Sequence, residues 1–277
     1  MNIQEALNRA YSELESEEPQ VDAQYLLSFV LDKDFTWLKT WSDRNLTEKQ
    51  ILQFEKLIVR RNQGEPVAYI TGEKHFWTLT LKSNSSTLIP RAETEILVEQ
   101  ALLFLEKYPA VKVLDLGTGT GAIGLAIASE RSKDLVYACD LEGDAVELAK
   151  LNAKNNNIDN IEIFQSDWFS RVEVTDFDLI VANPPYIVKD DPHLTQGDLI
   201  FEPDSALVSG ENGFADIKKI IRQATGYLNK QGVLMLEHGF EQGEQVRELL
   251  AAYGYTQVKT IQDLSKLDRV TMGVVAC

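Results

Sequence analysis

From residue 112 to 276 the chain alternates short apolar strands with helical segments, and that rhythm constrains the fold more than any other feature. Strand patterns run over Lys112–Leu116, Leu135–Asp140, Ile161–Gln165, 178–183 and 232–237. Helical patterns fall at about 121–130, 144–156, 214–228 and 241–252. Such apolar strands need cover on both faces, which a parallel sheet with crossover helices provides. The expected fold class is α/β: a doubly wound, mostly parallel, Rossmann-like sheet. Two last strands, 257–261 and 270–276, follow one another without a helix, so an antiparallel hairpin is expected at one edge.

Residues 1–66 read as a helical bundle. Ile3, Leu7, Ala10 and Leu14 recur at helical spacing, and Pro19 interrupts after an acidic cluster. A second helix covers 21–31, and a short third carries Trp37, Leu38 and Trp41 as packing aromatics. Thr47 and Gln50 have capping-box spacing ahead of Ile51, Phe54, Leu57 and Ile58, with Gly64 and Pro66 as the stop. Residues 67–89 read as a β-hairpin linker, with strands at 76–81 and 87–89 about a turn at 82–86. Residues 90–277 form the third region, opening on a helix from Pro90 to about Lys107. Glu93 and Glu95 suit its positive N-terminus, while Arg91 stands just outside, where it can face a ligand.

The 277 residues carry a formal charge of −16, which disfavours a binder of duplex DNA or anionic membrane. A small acidic bundle ahead of an α/β domain reads as a protein-docking module. The two cysteines, Cys139 in an apolar strand and Cys277 at the end, point to no disulfide framework and to a reducing, cytoplasmic setting. No signal-peptide pattern and no apolar run of about 18 residues is present, so neither export nor a membrane span is expected. No metal is expected.

Asp115 through Gly121 ends the first strand as D-x-G-x-G-x-G and leads into a helix. Gly117, Thr118, Gly119, Thr120 and Gly121 let a ligand approach the main chain. Asp140 ends the second strand at the position of a ribose-binding acid. Nicotinamide and S-adenosyl cofactors share that ribose, so this part leaves both open. Three features favour S-adenosylmethionine. Asp115 can meet a cationic amino-acid end. Asp167 and Trp168 after the third strand can accept an adenine amino group and stack on its ring. The fourth strand delivers Asn183-Pro184-Pro185-Tyr186 to the same edge. Two prolines have fixed φ and no N–H, which leaves carbonyl acceptors free beside an asparagine amide and an aromatic wall. That edge suits gripping a planar NH2 group, on a protein amide or on a nucleobase. The long loop 188–213, with His193, is expected to cover or contact the substrate.

Taken together, the stretch Leu88 to Glu95, the glycine loop, Asp167-Trp168, Asn183 to Ile187 and Phe201-Glu202-Pro203 resembles the HemK-type glutamine methyltransferases of peptide-chain release factors. The resemblance runs nearly the full length. Asn-Pro-Pro-Tyr alone is shared with adenine-N6 and cytosine-N4 DNA methyltransferases, so a nucleic-acid amino-group methyltransferase is the alternative. What the family implies is an S-adenosylmethionine-dependent sheet methylating N5 of the glutamine in the Gly-Gly-Gln loop of bacterial class 1 release factors. It implies cofactor binding by Gly117–Gly121, Asp140, Asp167, Trp168 and Asn183. It also implies binding of the substrate glutamine by Asn183, Pro184, Pro185 and Tyr186, and of these Asn183, Pro184 and Tyr186 are the expected catalytic residues; no nucleic-acid or membrane partner is expected.

Overall fold

The computed structural model describes residues 1–276; Cys277 lies outside them. The chain divides into two units. The first comprises Met1–Glu73 with His193–Phe201. It holds helices α1 (Ile3–Glu13), α2 (Pro19–Leu31), α3 (Phe35–Thr40), α4 (Glu48–Asn62) and α5 (Val67–Thr71). Local chemistry starts each long helix. Asn2 and Glu5 form a capping box at α1, Pro19 occupies the first turn of α2, Asp34 caps α3, and Thr47 with Gln50 forms the expected box at α4. The apolar stripes of α1, α2 and α4 meet around Ile3, Leu7, Leu26, Leu27, Phe54 and Leu57. Trp37 packs against that core, whereas Trp41, just past the end of α3, stands 50% exposed rather than packed. Arg61 donates to Asp22 at 2.7 Å and to Asp198 at 3.0 Å, which fastens the segment 193–201 to this unit.

The second unit carries a hairpin and a seven-stranded sheet. The hairpin is β1 (Glu73–Phe76) with β2 (Leu79–Lys82). It turns at Trp77, whose φ is 55° and whose N–H is accepted by Glu95 at 2.8 Å. The expected first strand therefore contains the turn, and the expected second strand is loop. The sheet comprises β3 (Lys112–Leu116), β4 (Leu135–Asp140), β5 (Ile161–Gln165), β6 (Phe177–Ala182), β7 (Leu228–Glu237), β8 (Tyr255–Gln262) and β9 (Asp268–Val275). Its helices are α6 (Glu95–Leu105), α7 (Ala122–Glu130), α8 (Gly143–Asn155), the short α9 (Asp204–Leu207) and α10 (Gly210–Gly213), α11 (Ala215–Ala224) and α12 (Gly243–Ala252).

Strand order is β5-β4-β3-β6-β7-β9-β8, parallel from β5 to β7 and antiparallel at β9 and β8. This is the doubly wound sheet with an antiparallel edge. Alternate residues serve opposite faces: Val113, Leu179, Val181, Val233 and Met235 join one core, Leu114, Leu116, Ile180, Leu234 and Leu236 the other. The order reverses between β3 and β6, where Leu116 pairs with Ala182. Open α/β sheets bind ligands at that switch point. The glycine loop and Asn183-Pro184-Pro185-Tyr186 are the next residues on those two strands, so register alone brings them side by side.

Candidate active site

A cavity of about 240 Å³ lies in the second unit beyond the carboxyl ends of four strands. Its wall takes Gly117, Thr118, Gly119 and Thr120 after β3, Asp140 and Glu142 after β4, Asp167 and Trp168 after β5, and Asn183 and Pro185 after β6. Leu88, Pro90 and Thr94 ahead of α6, Ser205 and Ala206 of α9, and Asp216 and Lys219 of α11 complete it.

Asp140 holds the loop in place. Its Oδ2 accepts the Gly119 N–H at 2.8 Å and its Oδ1 the Glu142 N–H at 3.0 Å. Burial raises its pKa, and those backbone bonds oppose the rise. Each oxygen keeps a lone pair for a ligand hydroxyl. Gly121 does not reach the wall. It caps α7 at φ 87°, where a Cβ would meet Leu125 Cδ1 at 2.7 Å. Asp115 is fully buried, with Oδ2 accepting from Thr118 Oγ1 at 2.5 Å and the Gly124 N–H at 2.9 Å. It braces the loop from behind and is absent from the wall, so the expected contact with a cationic end is corrected. The reason is steric: alternation on β3 turns residue 115 under α7.

Trp168 adopts φ 49°, packs against Gly117, and donates its Nε1–H to Asp216 Oδ1 at 3.1 Å. Ser209 Oγ donates to the other Asp216 oxygen at 2.6 Å. The indole is thus held edge-on by Asp216. Asp167 is exposed and ion-paired to Lys219 at 2.7 Å, so the expected adenine acceptor already shares its charge. Arg91 is not part of the cavity wall and pairs with the buried Glu202 at 2.6 Å. Its expected ligand role is likewise replaced, by a bond between two stretches of the sequence pattern.

Asn183 donates from Nδ2 to Thr94 Oγ1 at 3.3 Å. Glu237, at the end of β7, lies beside Thr94 and Asn183, whose polar groups favour its charged form. Burial is the main cause that pushes its pKa up to about 7. Pro184 is buried and Tyr186 half-buried, and neither is part of the cavity wall. Tyr186 packs against the second core cluster, and its carbonyl accepts from Gln242 at 3.2 Å. Burial and the Glu237 charge raise the Tyr186 hydroxyl pKa far above neutrality, so the ring stays uncharged. Loop 188–213 is divided: Ser205 and Ala206 reach the wall, as a covering loop would, while the exposed His193 belongs to the first unit.

The wall's charges discriminate between ligands. Asp140, Glu142, Asp167 and Asp216 face one cation, Lys219. A dinucleotide pyrophosphate would meet mostly like charge, whereas a sulfonium with an ammonium group would not. Apolar Leu88, Ile123, Leu141 and Trp168 supply the surface for a flat ring. The residues present fit S-adenosylmethionine.

Residues 5–72 match the family profile "PrmC N-terminal domain" and residues 93–213 the profile "Methyltransferase small domain". A release factor glutamine methyltransferase of Aliivibrio fischeri is 50% identical over 99% of this chain and 97% of its own length. One from Escherichia coli is 48% identical over 99% of both chains. The chain belongs to the release factor glutamine methyltransferase family. A methyltransferase crystal structure from Pyrococcus furiosus shares the fold, with TM-score 0.53 and 19% identity over 72% of this chain and 90% of that one.

Of the expected site residues, Gly117 to Thr120, Asp140, Asp167, Trp168, Asn183 and Pro185 stand in one wall; sequence reading had named these. It missed Thr94, Glu142, Asp216, Lys219 and Glu237. Glu237 had a signal, an acid closing an apolar strand just as Asp140 does. Asp216 and Lys219 had none, because only the packing of α11 beside Trp168 reveals them.

Proposed function

We propose that this enzyme transfers the methyl group of S-adenosylmethionine to the side-chain nitrogen N5 of a glutamine, the one in the Gly-Gly-Gln loop of bacterial class 1 release factors. The observation that supports it best is Asn183, which lines the cavity with its Nδ2 already donating inward to Thr94. Its Oδ1 is thereby left as an acceptor. The cofactor supplies an electrophilic methyl carried on sulfur. A primary amide nitrogen is a weak nucleophile because its lone pair is shared with the carbonyl. Asn183 Oδ1 and the Pro184 carbonyl accept its two N–H bonds and aim the lone pair, which is catalysis by positioning. Those acceptors also share the positive charge that grows on nitrogen as its bond to the methyl forms and the methyl–sulfur bond breaks; a neutral thioether leaves, and one N–H proton is then released to give the N-methyl amide. The Tyr186 ring holds the amide plane.

A glutamate carboxylate has no N–H to offer two acceptors, so discrimination of about 10⁴ is within reach of such a site. The release-factor substrate is supported by the names of the full-length relatives. Asn183→Ala tests the reading. With a release factor as acceptor, kcat should fall by roughly 10²–10³, the usual cost of losing one positioned polar group. Cofactor Kd by calorimetry should change little. Lost cofactor binding with unchanged turnover of bound cofactor would reverse the assignment.

A further inference from the structure

Asparagine can present either an oxygen or an NH2 group to a ligand, and rotation of the amide by half a turn exchanges them. As an acceptor for a primary amide it must show oxygen. Beside Asn183 stand two groups, Thr94 in the cavity wall and the buried Glu237. Thr94 Oγ1 accepts from Asn183 Nδ2 at 3.3 Å. Glu237, with 2% exposure, lies beside Thr94 and Asn183, whose polar groups favour its charged form. Its Oε2 has no partner. Arg269, across the strand pair, bonds through Nε to Asp263 at 2.9 Å and lies over Phe240; its charge favours the ionised Glu237, and that of Glu93 opposes it. Burying a carboxylate costs several kcal/mol. A structural filler at the end of an apolar strand would be served better by a neutral side chain. What an ionised carboxylate alone provides is an acceptor that cannot donate, and Glu237 is in that form above about pH 7.

We infer that Glu237 and Thr94 are positioning residues that fix the polarity of Asn183, holding its NH2 inward and its oxygen toward the substrate amide. A Thr94 hydroxyl turned toward the Glu237 carboxylate has only lone pairs left for Asn183, in keeping with Asn183 Nδ2 donating to Thr94 Oγ1 at 3.3 Å. The asparagine NH2 is drawn to both, and the opposite orientation would set its oxygen against two acceptors. The inference rests on the glutamine-methyltransferase reading above and adds the source of its selectivity.

The test is steady-state methylation of a release factor by Glu237→Gln, Thr94→Val and Thr94→Ser, with S-adenosylmethionine Kd measured by calorimetry. Glutamine keeps the shape of Glu237 but can donate, and valine keeps the shape of Thr94 without the hydroxyl. Each should lower kcat by about tenfold or more, with release-factor KM and cofactor Kd within about twofold. Thr94→Ser should recover most of what Thr94→Val loses. Should Glu237→Gln not fold, the Thr94 pair decides alone. A kcat within twofold of the parent in Thr94→Val, or a loss matched by lost cofactor binding, overturns the inference. Failure of the parent enzyme to methylate any glutamine would overturn the functional reading instead, so the two failures are distinguishable.

Discussion

At the residue scale, Asp115 shows how burial is used to shape the loop. Its carboxyl is pushed up to about 6 from 3.8, chiefly by burial, although Thr118 and Gly124 hydrogen-bond to it. The unfolded chain releases this proton near pH 4, the folded chain only near pH 6. Below pH 4 both states are protonated and the group contributes no pH-dependent difference. As pH rises from 4 to 6 the folded state loses up to about 3 kcal/mol relative to the unfolded one, and that loss persists above. Asp115→Asn keeps an oxygen acceptor without the proton. Its stability relative to the parent, read from urea unfolding, should therefore be about 3 kcal/mol more favourable at pH 8 than at pH 4. Equal differences at the two pH values would mean that Asp115 carries no buried charge. The same residue explains a limit of sequence reading. An acid beside a glycine loop looks like a ligand contact, and only its register on β3 shows that it points under α7.

At the element scale, the loop after β6 depends on backbone fit. Gly213 ends α10 at φ 86°, following Glu211 and Asn212 at 52° and 58°, and an added Cβ would lie 2.2 Å from the Tyr186 carbonyl oxygen. That distance forces Tyr186 and its Gln242 partner to move. Gly213→Ala should cost about 2 kcal/mol in stability from strain alone. It should also lower kcat for glutamine methylation, because shifts of about 1 Å at a positioned site cost about 10²-fold. Unfolding curves and kcat measured on one preparation check both. Elements of this kind differ in how legible they were. The bounds of β3, β4 and β5 follow from apolar runs cut by polar neighbours and were readable residue by residue. The hairpin was displaced because the turn at Trp77 needs a positive φ that an indole rarely adopts, and Glu95, distant in sequence, supports it. Helix α5 escaped notice because five residues, Val67–Thr71, are too short for a periodic signal.

At the scale of the whole molecule, the two units share the chain unevenly. Residues 193–201, between β6 and β7 in sequence, belong with the N-terminal helices, held by Arg61 to Asp198 and by Phe201 against Gly64. A chain shortened to residues 74–277 leaves that segment without those partners. Limited proteolysis should then cut within 193–201 in the shortened chain and spare it in the full one; equal resistance would contradict the grouping. The helical unit and the sheet were each legible from period, whereas this exchange of a segment was not, since it depends on one arginine reaching across 137 positions. Among the described residues no helix is long and apolar enough to cross a membrane. The central claim is that the Asn183 edge selects a primary amide on a protein. Methyl-labelled S-adenosylmethionine, offered with a release factor, with the same factor carrying glutamate for the Gly-Gly-Gln glutamine, and with DNA, tests it most directly. Label is expected on the glutamine of the first alone. Label on the glutamate form at a comparable rate, or on DNA alone, would contradict it.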